Sequence, residues 1–307
     1  MDPNWRLVGR RGALLKRAAI IQSIRAFLTE RGFMEVETPH RIPAPAPESH
    51  IDAILADGWF LHTSPELCMK RLLAAGYDRL FQLCRCWREG ERGSLHLPEF
   101  TILEWYRAGG DYQDLMEDCE ALVIHVAHAV GLKDQIVYQG KSVDLARGWP
   151  RLSVSRAFAQ HAQMTPEQAL QRGEFDAIIA AQIEPHLGLG QPTFLHDYPA
   201  ERGSLARLRV DDPGVAERFE LYIAGLELAN GFSELVDAEE QRARFEREES
   251  FRRSQGKCPY PTAERFLQEL ANMTPSAGIA LGVDRLVMLL VDASTIDEVV
   301  AFTPEEL

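Results

Sequence analysis

The chain has 307 residues, of which 46% are hydrophobic and 26% charged, with 22 Gly and 17 Pro. Such a composition excludes a disordered, collagenous or small disulfide-stapled protein, and the length provides for one large domain or two moderate ones. Bases number 33 against 46 acids, and the resulting net charge of −13 argues against coating nucleic acid or an anionic membrane through bulk charge. Only Lys16, Lys70, Lys133, Lys141 and Lys257 are lysines; the other 28 bases are Arg, the side chain suited to bidentate phosphate binding. Met1–Leu28 holds no apolar run with a cleavage site, and no later segment approaches the ~20 apolar residues of a membrane span. The expectation is a soluble, cytoplasmic protein.

Leu14, Leu15, Ala18, Ile21, Ile24 and Leu28 recur at helical spacing ahead of Gly32, predicting a helix over roughly 11–31. Phe33–Pro39 alternates as a half-buried strand, and Ile42–Glu48 is too rich in Pro for helix and reads as an ordered loop. Trp59–His62 is a short strand and Pro65–Ala75 a helix. Arg79–Arg88 and Glu99–Tyr106 form a long hairpin, and residues 111–131 return to helical periodicity. Residues 148–196 read as a helical insertion. A strand over Arg218–Gly225, a polar loop at Asn230–Glu234, a charged helix from Asp237 to Lys257 with a solvated face, and the Gly-punctuated run Gly278–Leu286 complete the chain. Hairpin strands interleaved with helices predict an α+β fold with an antiparallel sheet. Five Cys at irregular spacing (68, 84, 86, 119, 258) suggest neither a disulfide framework nor a zinc site, and Cys84 and Cys86 read as buried strand residues.

Gly278, Ala280 and Gly282 strip one strand face of side chains, so that a flat ring can lie on the backbone, and Arg285 follows where phosphates would sit. Arg88, across the hairpin from His96, Glu99 and Phe100, can hold a phosphate while an aromatic sandwiches a base.

These segments, taken with Phe33–Pro39, resemble in order the three signature motifs of class II aminoacyl-tRNA synthetases. The surrounding words, Pro65-Glu66-x-x-x-Lys70-Arg71-Leu72, His96-x-Pro98-Glu99-Phe100-Thr101-x-x-Glu104-x-Tyr106 and Glu227-x-Ala-Asn230-Gly-Phe232-Ser-Glu234, are those of the lysyl group, over roughly residues 11–303. The catalytic pattern starts close to Met1, which leaves no room for the anticodon-binding barrel of lysyl-tRNA synthetases. The expectation is therefore a single catalytic domain resembling the free-standing paralogues that attach (R)-β-lysine or lysine to elongation factor P. Ser64 and Ala280, where the synthetases usually have Ala and Gly, fit a pocket retuned toward the β-isomer.

The resemblance implies ATP and Mg²⁺. It assigns Arg88 to the α-phosphate and substrate carboxylate, Arg285 to the γ-phosphate, Glu220 and Glu227 to the metal, and His96, Phe100, Gly278 and Gly282 to the nucleotide. It assigns Ser64, Glu66, Glu104, Tyr106, Asn230, Phe232, Glu234 and Ala280 to the amino acid, whose ammonium groups need carboxylate partners. On a perfect strand Glu220 and Glu227 would face opposite ways, and a bulge at Ala224-Gly225 would correct this. Gly90 stands where the motif-2 Glu is usual, so either Glu89 or Glu91 replaces it or that contact is lost, and Arg92 is the candidate to substitute for a missing loop Arg. No dedicated base for the transfer step is evident. The resemblance also implies a homodimer through the motif-1 strand and no tRNA. The alternatives are a truncated synthetase that charges tRNA and a silent regulatory paralogue. Arg6, Arg10, Arg11, Lys16 and Arg17 are either a docking face for the acidic partner or the solvated side of the first helix.

Overall fold

The computed structural model describes residues 5–307. The order is α1 (Trp5–Glu30), β1 (Met34–Glu35), β2 (Arg41–Ile42), β3 (Leu55–Ala56), β4 (Trp59–Leu61), α2 (Glu66–Ala74), β5 (Arg79–Trp87), β6 (Glu99–Ala108) and α3 (Tyr112–Ala129). There follow β7 (Gln135–Tyr138), β8 (Lys141–Asp144), β9 (Arg151–Ser153), α4 (Val154–His161), α5 (Pro166–Arg172), α6 (Phe175–Ile178) and β10 (Thr193–Pro199). The chain continues with β11 (Val215–Ile223), β12 (Leu226–Ser233), α7 (Ala238–Ser254), α8 (Glu264–Leu270), β13 (Ser276–Gly282) and α9 (Val283–Val291).

One eight-stranded sheet, ordered β1-β5-β6-β13-β12-β11-β10-β9, carries the fold. Its interior is antiparallel as expected, but β1 joins β5 and β9 joins β10 in parallel, so the sheet is mixed at both edges. Alternation sorts its residues: Phe81, Leu103, Trp105, Ile279, Leu281, Phe219 and Phe194 face one side and join the main core. α3 covers that side with Leu115, Met116, Cys119, Leu122, Val123 and Val126, each at most 1% exposed, at about 1.5–3 kcal/mol per large apolar side chain. A capping box between Asp111 and Asp114 starts this helix. The opposite face, left free of α1 and α3, carries the polar residues of the signature motifs.

Several elements depart from expectation. α1 begins at Trp5 rather than near residue 11, because Arg10 pairs with Glu306 and Arg17 with Asp284, so the early turns dock on the C-terminal segment. Of the Phe33–Pro39 strand only Met34–Glu35 forms a ladder, although Val36 N–H still reaches the Phe81 carbonyl at 2.9 Å. Asn230–Glu234 is not a loop: all but Glu234 lie in β12, where Arg218 satisfies the Asn230 amide at 3.1 Å and Gly231 admits the Phe219 ring. Within 148–196, β9 and the start of β10 accompany the helices and extend the main sheet. The hairpin of β7 and β8 was not foreseen. α7 is more than a solvated face, since Gln241, Phe245 and Arg252 are buried.

Candidate active site

The free face of the sheet is built from in-register rows. Gln82, Glu104, Ala280, Asn230 and Glu220 lie side by side across β5, β6, β13, β12 and β11. Leu80, Tyr106, Gly278, Phe232 and Arg218 form the next row. Glu220 and Glu227 stand on the two arms of a hairpin turned by Ala224 (φ 55°) and Gly225 (φ 84°), the left-handed pair of a two-residue turn. The bulge that brings them to one face lies at Leu228 instead: Leu221 pairs with Ala229 and Tyr222 with Glu227.

A cleft of about 330 Å³ opens over these rows, within the size range of small-molecule sites. Arg88, Glu91, His96 and Phe100 line it from the β5–β6 hairpin, Glu220, Glu227 and Asn230 from β11 and β12, and Ala280, Gly282 and Arg285 from β13 and α9. The Arg88 guanidinium lies 4.9 Å from the Phe100 ring centroid and 3.7 Å from Glu91, and its Nε has no hydrogen-bond partner among the described residues. Arg285 donates to the Glu227 carbonyl at 2.8 Å and meets His96 Nε2 at 2.5 Å. Burial and the adjacent Arg285 hold the His96 pKa below its usual value, so its ring accepts that bond as the neutral form.

Glu91, not Glu89, is the acid beside Arg88; Glu89 is exposed, with its N–H bound to the Asp52 carbonyl at 2.7 Å. Arg92 does not replace the missing loop Arg, because Asp297 at 2.8 Å and Glu305 at 2.9 Å engage it away from the cleft. Gly278 does not bare a platform for a flat ring either. A Cβ there would overlap the Tyr106 ring and the Glu234 carboxylate, so this glycine makes room for two pocket residues, whereas Gly282 does line the cleft.

Beside Ala280 the same sheet face carries a second cluster of polar side chains, most of them buried. Glu104 accepts from Ser64 at 2.5 Å and Tyr106 at 2.8 Å, and burial with the nearby Glu66 pushes its pKa up to about 8. Burial likewise pushes Glu234 up to about 8, against the opposing Lys70 ammonium. The Phe232 ring lies beneath Lys70, 5.1 Å from its Nζ.

Glu220 and Glu227 are tested as metal ligands by what already occupies their oxygens. Tyr198 and Tyr222 both donate to Glu220 Oε2 at 2.6 Å and Arg218 to Oε1 at 2.6 Å, leaving Oε1 one lone pair. Glu227 has one long 3.4 Å contact, from its Oε2 to Arg285, and burial beside Glu220 raises its pKa. A pair of crowded hard-oxygen donors with open lone pairs fits a divalent cation such as Mg²⁺.

Sequence reasoning missed Arg218, which ties Glu220 to Asn230, and Glu48, which enters the cleft from the Pro-rich loop and is pushed up to about 7 by burial. It also missed that His62 joins Cys84 and Cys86 in a buried cluster, with ligand atoms within 4.8 Å of one another. His62 Nε2 is committed to the Arg85 carbonyl at 2.8 Å, which supports the reading of the thiols as buried strand residues. Of the basic cluster on α1, Arg17 is a strut: it pairs with Asp284 at 2.5 Å and donates to Thr101 at 2.8 Å, pinning the start of α9 to β6.

A mixed sheet bearing an Arg on its long hairpin, two acids on a second hairpin and an Arg at a strand-to-helix junction is the class II synthetase arrangement. The family model described as tRNA synthetases class II (D, K and N) matches residues 8–306. Among curated relatives, a protein of Pectobacterium carotovorum subsp. carotovorum is 38% identical, covering 98% of both chains. One from Salmonella gallinarum is 40% identical, covering 94% of both. A third, from Edwardsiella ictaluri, is 38% identical over 98% of this chain and 97% of its own. All three are named elongation factor P--(R)-beta-lysine ligase. The chain belongs to the class II tRNA synthetase family and, within it, to the family of these ligases.

Proposed function

We propose that this protein activates (R)-β-lysine with ATP as an aminoacyl-adenylate and transfers it to the ε-amine of a lysine of elongation factor P. The observation that carries this reading is the junction at Ala280, which lines the cleft of Arg88 and Arg285 and lies in register with Glu104, one of a cluster of acids that includes the buried Glu234 and the half-buried Glu66. The cleft is suited to a polyphosphate and the acid cluster to ammonium groups removed from water.

In the first step a carboxylate oxygen of the amino acid bonds to the α-phosphorus of ATP and the bond to pyrophosphate breaks. Arg88 holds the two anions together, and Arg285 holds the far phosphates, so that catalysis is positioning and charge neutralisation. Glu220 and Glu227 would hold Mg²⁺, which supplies further charge neutralisation on the phosphates. In the second step the acceptor amine, having lost a proton, attacks the adenylate carbonyl, an amide forms and AMP departs.

Supply of the two lysine isomers separately, with purified elongation factor P, ATP and Mg²⁺ but no RNA, followed by intact mass, tests the whole reading. A gain of one lysyl residue, faster with the β-isomer, is expected; no gain with either isomer would refute it. A homodimer is part of the proposal. β1 leaves an open edge of the sheet, and Met34 within it is 45% exposed, an apolar side chain at an unpaired edge, which suits a second copy. Light scattering at micromolar concentration should report twice the 34.6 kDa chain mass.

A further inference from the structure

The acid cluster beside Ala280 already contains a cation. Lys70, one turn after Glu66 on α2, is 1% exposed; its Nζ lies 2.5 Å from Glu66 Oε1, 2.5 Å from Glu234 Oε2 and 5.1 Å from the Phe232 ring centroid. A lysine is almost never buried to this degree unless paired, and here the pairing spends part of two carboxylates that the substrate also needs. Glu234 is fully buried, yet its Oε1 has no hydrogen-bond partner among the described residues and sits beside Gly278 at the Tyr106 ring. A buried carboxylate oxygen without a donor is unfavourable until a cation reaches it.

We propose that Lys70 is a positioning residue of the amino-acid site: it bridges Glu66 and Glu234, holds them against mutual repulsion, and leaves Glu234 Oε1 aimed at an ammonium group of a diamino-acid substrate. This rests on the activation reading above and adds to it how the second ammonium is received. Lys70 cannot be the acceptor or a nucleophile in this arrangement, because Glu234 and Glu66 raise its pKa against burial and keep it charged. The groups facing Glu234 are Lys70 and Glu66 from α2, Tyr106 from β6 and, from the end of β12 just before it, the Phe232 ring that Lys70 overlies. Lys70 is the one cation among them. With it, burial pushes Glu234 up to about 8; without it, Glu234 must ionise at still higher pH before it can receive an ammonium.

Lysine- and (R)-β-lysine-dependent ATP–pyrophosphate exchange by wild type, Lys70→Met and Lys70→Gln, at pH 7 and pH 9, tests the assignment, with circular dichroism to establish folding. The Gln variant, one bond shorter than Lys, keeps an uncharged N–H donor if Met disturbs the fold. In both variants KM for the diamino acid should rise about tenfold or more at pH 7 with KM for ATP within about twofold, and the ratio to wild type should narrow by pH 9 as Glu234 ionises unaided. An unchanged KM, or a ratio equal at the two pH values, would overturn the proposal and leave Lys70 a packing residue. Failure of the wild type to exchange with either isomer would instead sink the activation reading itself.

Discussion

Replacing Arg252 by Met should detach the Pro-rich loop from the active-site cleft. Arg252 is 0% exposed, lies 4.0 Å over the Tyr260 ring, and donates to the carbonyls of Glu48 and Ile51, both at 2.8 Å, while pairing with Asp52 at 2.9 Å. Met fills the volume but removes the donor to the carbonyls of Glu48, Ile51 and Cys258 and one of the two cations on Asp52. Breaking one side of a buried ion pair costs about 3–5 kcal/mol, and Lys257, which also reaches Asp52 at 2.9 Å, keeps the loss toward the lower figure. For a domain of this size about 2 °C of melting temperature per kcal/mol implies a fall of roughly 6–10 °C. The Glu48 segment should become an early site of limited proteolysis, and the KM for ATP should rise, because Glu48 and Ile51 line the cleft. Scanning calorimetry, a protease time course and ATP–pyrophosphate exchange read the three effects. A variant melting within 2 °C of wild type, with an intact loop, would refute the claim that α7 clamps the cleft through this side chain.

Gly278→Ala should cost about 1–3 kcal/mol by overpacking and raise the amino-acid KM more than that for ATP, since the new methyl meets Tyr106 and Glu234 rather than the nucleotide cleft; equal effects on both constants would contradict the placement. Arg88→Lys should lower amino-acid activation by about 10² or more, because a point charge replaces a fork of donors at developing phosphate charge, a loss that single-turnover adenylate formation would detect. His96 is neutral in the fold, with a pKa held below its ordinary value by burial and Arg285. Its contribution to stability is therefore fully present above the unfolded-state value and is lost as pH falls from there through the lower folded-state value, where protonation also breaks the Arg285 contact. His96→Gln should flatten the acid limb of the exchange rate below about pH 6.5, and an unaltered limb would assign it to another group.

The signature words were legible because each couples a residue type to a local spacing: Arg88 on one arm of a hairpin, Glu227 and Glu234 in one polar run, Arg285 after a Gly-punctuated strand. Those spacings predicted an antiparallel sheet with helices, the β5–β6 hairpin and the strand before Arg285, but read the Asn230–Glu234 run of β12 as a loop. The roles of the glycines and loop acids were not legible, because they depend on neighbours distant in sequence. Gly278 reads as a bare platform until Tyr106, 172 residues earlier, is seen to fill the space above it, and Glu91 displaces Glu89 only because Gly90 turns with φ 75° and directs the latter outward. The spacing of seven from Glu220 to Glu227 could be accommodated by a bulge at Ala224-Gly225 or by a turn there with the bulge elsewhere, and hydrogen-bond register across β11 and β12 selected the second. The charged composition of α7 is that of a solvated helix, and nothing in its periodicity marks Arg252 as buried; the carbonyls of Glu48 and Ile51, brought to it by the loop, decide that. Local chemistry and spacing thus determined which residues are available, while long-range packing decided which of them share a face, and a carboxylate or guanidinium acquires its function from the charges and walls around it.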